Sequence, residues 1–159
     1  MKRMRLASLL FTLSLPVSAD CFDLAGRDYQ IDPDLLRAIA WNESTFNPQA
    51  VGKNSDGSLD IGLMQINTQH ADALLRVGVT QNNLSQDPCM NIYTGAYILA
   101  TSFKKWGISW AAVGAYNAGF KDTNKQDLRR YKYAKKIHDT YNAIKQNKST
   151  ITNNSLANN

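Results

Sequence analysis

The chain has 159 residues, with 18 lysines and arginines against 13 acidic residues, a formal net charge of +5 and a pI near 9.2. That length suits one domain of ordinary size, and no apolar run is long enough for a membrane span. Two histidines without an HExxH pattern exclude a zincin-type hydrolase, so no metal is expected.

Much of the basic character sits at the start. Lys2, Arg3 and Arg5 precede the apolar run Leu6 to Leu15, and Val17, Ser18 and Ala19 follow it. This order predicts a secretory signal peptide over residues 1–19, cleaved before Asp20. Asp20 stands where a lipidation site needs a small residue, so Cys21 is not expected to carry an acyl anchor. Losing those three cations lowers the net charge from +5 to about +2. The stretch Arg129 to Lys136 is then the only locally basic one, and it reads as a solvated helix face, so no nucleic-acid partner is expected. The expected product is a soluble periplasmic protein with no stable membrane insertion once the leader is removed.

Only two cysteines occur, Cys21 and Cys89, and export places them in an oxidising compartment. A structural disulfide between them is the first reading. Its rival is a catalytic thiol served by His70 or His138, but neither cysteine lies in a recognisable nucleophile motif.

Asp32 followed by Pro33 predicts an N-cap and a first helical position, opening a helix to about Phe46 with the stripe Leu35, Leu36, Ile39, Ala40 and Phe46. The segment from Ala50 to Ile61, with Gly52, Asn54, Asp56 and Gly57, suits a short irregular hairpin. Ile92, Ala96, Leu99, Phe103 and Trp106 mark a buried-faced helix that stops at Gly107. Ser109 caps a short helix reaching Asn117. Tyr133, Ala134, Ile137, Tyr141 and Ile144 form the stripe of a last helix, and the polar residues 146–159 are expected to be a disordered tail. The sum is an α+β but mainly α domain over residues 20–145, with a small β-hairpin element.

Glu43 is the only glutamate of the sequence. It lies four residues after Ile39 and seven after Leu36, which puts its carboxyl on the apolar stripe. Desolvation there favours the protonated form, as a general acid requires, although a carboxylate at the stripe's edge making a salt bridge or cap fits the phase equally well. Asn117 falls in phase with Trp110, Val113 and Gly114, which reads as a buried amide in need of partners, structural or sugar. Gln65 interrupts the apolar stretch Ile61 to Ile66, and Gly62 allows a close backbone approach. Trp41, Tyr93 and Tyr116 are candidate sugar-stacking walls, with core packing as the alternative for each.

Glu43-Ser44, the string GLMQIN from Gly62 to Asn67, and AYNAG from Ala115 to Gly119 resemble, in order and spacing, the motifs of the soluble lytic transglycosylase family. The resemblance covers roughly Ile31 to Ile137. The short single-domain form with its two cysteines is similar to the specialised members that accompany secretion systems, conjugation machines and pili. The resemblance implies a lysozyme-like fold, no cofactor, peptidoglycan glycan strands as substrate, and an envelope-spanning machine as a partner. It implies Glu43 as catalytic acid and base supported by Ser44, sugar subsites lined by Met64, Gln65, Tyr116 and Asn117, and an orienting tyrosine at Tyr133, with Tyr131 a neighbouring candidate. The implied reaction cleaves the bond from N-acetylmuramic acid to N-acetylglucosamine and leaves 1,6-anhydro ends. Asp60, directly before the second motif, keeps a hydrolytic muramidase open as an alternative, with Asp60 as second carboxylate. A wall-binding scaffold that does not catalyse is the other.

Overall fold

The computed structural model describes residues 20–157, so the expected leader lies outside the described residues. Helix α1 (Cys21–Tyr29) begins where the Asp20 carboxylate accepts the Asp23 N–H at 3.0 Å, and ends at Gln30 in the left-handed conformation. Cys21, at its first position, is bonded to Cys89 across 68 residues of chain, with the two Cα atoms 5.4 Å apart. The disulfide read from the cysteine count is therefore present, and it fastens α1 to the start of α5 (Pro88–Trp106).

Helix α2 (Pro33–Ser44) starts as expected, with Asp32 accepting the Asp34 N–H at 2.9 Å and Pro33 in the first turn. It stops at Ser44 rather than Phe46, because Thr45 and Phe46 both take positive φ and turn the chain away. The expected hairpin is part of a three-stranded antiparallel sheet in the order β1 (Val51–Lys53), β2 (Leu59–Ile61), β3 (Ile66–Asn67). Asp60 sits opposite Gly52 on one side and Asn67 on the other.

Two short helices, α3 (Ala71–Leu75) and α4 (Gln81–Gln86), follow the sheet, the second opened by a capping box between Thr80 and Asn83. Neither has enough turns to show a hydrophobic period, and α1 was equally unreadable as a pattern. Helix α5 is capped by Asp87 and crosses the domain with Ile92, Gly95, Ala96 and Leu99 buried. Ser109 caps α6 (Trp110–Ala118) as expected. Helix α6 lies so close to α7 (Asn124–Ala157) that a Cβ at Gly114 would collide with the Arg130 backbone.

Helix α7 packs on α6 and α2, and α5 on α6 and α1. Leu36, Ile39, Met64, Ile66, Leu99 and Ile137, all but sealed from solvent, form the centre of the core between them. The result is a mainly helical domain with a small sheet at one side, as the periodicity implied. One boundary differs. The polar stretch expected to be a disordered tail continues α7 as far as Ala157. Once the stripe from Tyr133 to Ile144 has nucleated the helix, each further residue adds a hydrogen bond. Lys145 and Lys148 also anchor it through Asp32 and Asp34.

Candidate active site

The GLMQIN segment makes a tight turn between β2 and β3, and its carbonyl groups are held by side chains rather than by a sheet. Asn91 of α5 donates to the carbonyl of Ile61 at 2.8 Å, and Gln65 Nε2 to that of Gly62 at 2.9 Å. Ser44 Oγ donates to the carbonyl of Leu63 and the Tyr116 hydroxyl to that of Met64, each at 2.8 Å. Four consecutive carbonyls thus receive donors from α2, α5, α6 and the turn itself, which fixes the turn against the end of α2. Asn91 also accepts the Met64 N–H at 2.8 Å, and any side chain at Gly62 would collide with its amide. Here glycine's positive φ and missing Cβ are both used.

Glu43 stands beside this turn in the last turn of α2. Tyr133, from α7, donates its hydroxyl to Glu43 Oε1 at 2.5 Å across 90 residues of chain. Tyr116 lies parallel to Tyr133 with ring centroids 6.4 Å apart. Burial pushes the Glu43 carboxyl above the ordinary glutamate range. The Tyr133 hydrogen bond and the Lys136 charge oppose that shift, and the Asp60 charge adds to it. Burial, with the Glu43 charge second, pushes both phenols well above their usual range, so they remain hydrogen-bond donors.

Asp60 is close enough to Glu43 for its charge to act there, and both of its oxygens are held. Asn54 donates to Oδ2 at 2.9 Å and Asn67 to Oδ1 at 2.7 Å. The pair thus combines a desolvated acid with a second carboxylate pinned by two amides. Such a pair can donate a proton at the first and stabilise positive charge beside the second.

The other candidates divide. Tyr133 is the tyrosine on Glu43, whereas Tyr131, two residues earlier, is 66% exposed on the outer side of α7. Met64 does not offer its side chain to a subsite: it is 0% exposed and packs against Gly95, so only its backbone belongs to the site. The Ser44 hydroxyl is engaged with backbone, donating to Leu63 and accepting the Asn47 N–H, and so holds the turn. Gln65 sits at a strained positive φ with its amide on Gly62 and Ala50.

Asn117 is exposed rather than buried, because Ala118, Gly114 and Ala115 take the packing face of this short helix. Its amide is consequently open to solvent. Trp41 packs on Phe46, and Tyr93 bonds Asp28 near the disulfide, so neither is drawn into contact with Glu43. Sequence reasoning passed over Asn54, Asn67, Asn91 and Lys136. The buried amide expected at Asn117 is found instead at Asn91, a polar residue in phase with an apolar stripe, which is 1% exposed and lies four residues before Gly95.

Residues 20–139 match the family of the transglycosylase SLT domain. The chain belongs to that family. This transglycosylase is 54% identical to the X polypeptide of Escherichia coli over 149 residues, 93% of this chain and 88% of the relative. It is 44% identical to the invasion protein IagB of Salmonella typhi over 139 residues, 87% of this chain and 86% of that one. Among solved structures it resembles an inactive mutant of the lytic transglycosylase Slt from Pseudomonas aeruginosa, with a TM-score of 0.62 over 82% of this chain at 22% identity. That likeness concerns the fold, and this chain spans 24% of the larger protein. The family makes the chain an enzyme, a lytic transglycosylase, and the fold is that of a lysozyme-like domain.

Proposed function

We propose that this enzyme cleaves the bond from N-acetylmuramic acid to N-acetylglucosamine in peptidoglycan and leaves 1,6-anhydro-muramyl ends, with Glu43 as both acid and base. The observation that carries the reading is the environment of Glu43, a desolvated carboxyl with a raised pKa and no hydrogen bond from a cation among the described residues. Protonated Glu43 gives its proton to the glycosidic oxygen as the bond from the anomeric carbon to that oxygen breaks. The substrate's acetamido oxygen shares the positive charge at that carbon, a substrate-assisted route outside the two-carboxylate scheme. The Glu43 carboxylate then takes the proton of the muramyl C6 hydroxyl, whose oxygen bonds to the anomeric carbon and closes the ring. Glu43 ends the cycle protonated, and neither water nor a cofactor is consumed.

Tyr133 orients the carboxyl through both steps. Asp60 acts as a fixed anion: with each oxygen already accepting from an amide, it is arranged to stabilise the oxocarbenium-like state rather than to attack it. The same carboxylate is what favours the second reading, a muramidase in which Asp60 serves as nucleophile. Asn117 and Gln65 line the sugar subsites, with Tyr116 as their wall. Mass spectrometry of digested peptidoglycan separates the two reactions, since anhydro ends are lighter than reducing ends by one water. Anhydro ends are expected, and mainly reducing ends would overturn the reading in favour of the muramidase.

The export leader expected over residues 1–19 supports a periplasmic site for this chemistry. The invasion protein among the relatives of this chain supports a role in opening the wall locally for a secretion, conjugation or pilus apparatus.

A further inference from the structure

The basic stretch of α7 has a geometry that a solvated helix face does not need. Lys125, Arg129, Lys132 and Lys136 follow one another at spacings of four, three and four residues, which aligns them along one side of the helix. All four are exposed, and none pairs with an acidic side chain among the described residues. Other cations of α7 behave differently. Lys135 pairs with Asp139, Lys145 with Asp32 and Lys148 with Asp34, while Asp127, the acid within the line's own turns, is taken by Arg130. The line covers roughly 16 Å at 1.5 Å per residue. Its end is fixed by a contact: Lys136 Nζ donates to the carbonyl of Asn42, the residue before Glu43, at 3.4 Å. The row of unpaired cations therefore leads along α7 to the catalytic carboxyl.

We infer that this row binds the carboxylates of the stem peptides carried by the glycan strand, so that the enzyme reads the peptides as well as the sugars. The inference rests on the proposed peptidoglycan substrate. Each muramyl residue bears its peptide on the lactyl group, and such peptides end in free carboxylates. A strand lying across Glu43 brings successive stems to the flanking helix, where a line of cations complements a line of anions. Exposed pairs of this kind contribute little singly and are screened by salt, which suits an enzyme that must release its polymer.

The test compares affinity for glycan strands of one length, with stems attached and after removal of the stems by an amidase, the lactyl carboxylates so exposed being blocked as methyl amides. It is made on Glu43→Gln protein so that the strands stay intact. The triple variant Lys125→Glu, Arg129→Glu, Lys132→Glu is expected to bind stem-bearing strands about ten-fold more weakly, and stripped strands as the parent does. The parent's preference for stems should disappear in high salt. A milder triple change to glutamine, with thermal melting of both variants, separates loss of charge from loss of fold.

Equal weakening on both strands, or no weakening on either, overturns the inference. So does a parent that binds stripped strands as well as stem-bearing ones. Loss of binding to phosphatidylglycerol vesicles with strand affinity unchanged overturns it too, since the row would then face a lipid surface. Cleavage by the wild type is scored separately: failure to cut either strand counts against the proposed reaction, while the affinity difference still decides the role of the row.

Discussion

The two ends of α2 hold carboxyl groups of opposite character. At the N-terminal end Asp34 is 4% exposed, yet its carboxyl lies below the ordinary aspartate range. Burial pushes it up, but hydrogen bonds from Lys148 and Arg37 outweigh the burial. At the C-terminal end Glu43 is held by a neutral phenol, with Lys136 near but not bonded to it, and burial wins. Burial raises both carboxyls, and the outcome depends on whether charged hydrogen-bonding partners offset it, as they do at Asp34 and do not at Glu43. One helix thereby supplies a structural anion and a general acid.

Glu43→Gln removes the acid end of the contrast and should have the largest effect. Acid–base assistance is typically worth about 10²- to 10⁴-fold, and one side chain serves both steps, so the rate loss should reach the upper end or beyond. Turbidity clearing of purified wall measures it, and retention of more than about a tenth of the activity by a folded variant would sink the assignment. Stability moves the other way. A carboxyl raised in the folded state favours folding below the unfolded glutamate's pKa, and that contribution is lost as pH rises through the higher folded value. The variant should therefore gain thermal stability relative to wild type at neutral pH and lose that advantage in acid.

Tyr133→Phe keeps the ring stack with Tyr116 but deletes the hydroxyl on Glu43. Because that bond favours the ionised carboxyl, the Glu43 ionisation seen in the pH–rate profile should move to higher pH. The rate should fall by about ten-fold or more, as expected for lost orientation of a catalytic group. A profile that did not move would show that Tyr133 only fills space.

Asp60→Asn alters the same carboxyl from the opposite direction. Removing the anion should let Glu43 ionise at lower pH and reduce the rate by a smaller factor, leaving the product type unchanged. Product analysis decides. If the wild type gave mainly reducing ends and the variant none, Asp60 would be a nucleophile.

Asp34→Asn, at the structural end, should leave catalysis intact and lower stability by about 1–2 kcal/mol, less than for a fully buried pair because both lysines are half exposed. Its lowered carboxyl contributes stability above the unfolded aspartate's pKa, which is lost as pH falls through the folded value. Wild type and variant should accordingly converge in acid melts. A loss of activity matching that of Glu43→Gln would erase the distinction between the two ends.

Much of this architecture could be read along the chain because it is encoded locally. Asp32-Pro33 and Ser109 mark helix starts through groups within three residues of one another. The stripes of α2, α5 and α7 repeat over enough turns to fix their buried faces. The phase of Glu43 on such a stripe left two readings, a desolvated acid or an edge carboxylate in a salt bridge or cap, and burial with a neutral phenol as partner is what the structure has. Two cysteines admit a single internal pairing. Where a helix was too short for a period, as in α3 and α4, no stripe announced it, and the Thr80–Asn83 capping box of α4 went unread. The contacts that fasten α7 past Ile144 come from Asp32 and Asp34, more than a hundred residues away.

The site shows the same division. Sequence alone determined that Glu43, the one glutamate, falls in phase with an apolar stripe, and the resemblance of its motifs implied that the segments Gly62 to Asn67 and Ala115 to Gly119 would accompany it. Only the tertiary structure decided that Tyr133 rather than Tyr131 meets Glu43, that Met64 turns inward while Asn117 turns outward, and that Asn54 and Asn67 pin Asp60. Periodicity specifies which side of an element is buried, because it depends only on the rise and turn of that element. It carries no information about which residue of another element arrives there, and a proton's affinity for a buried carboxyl is set by that arrival.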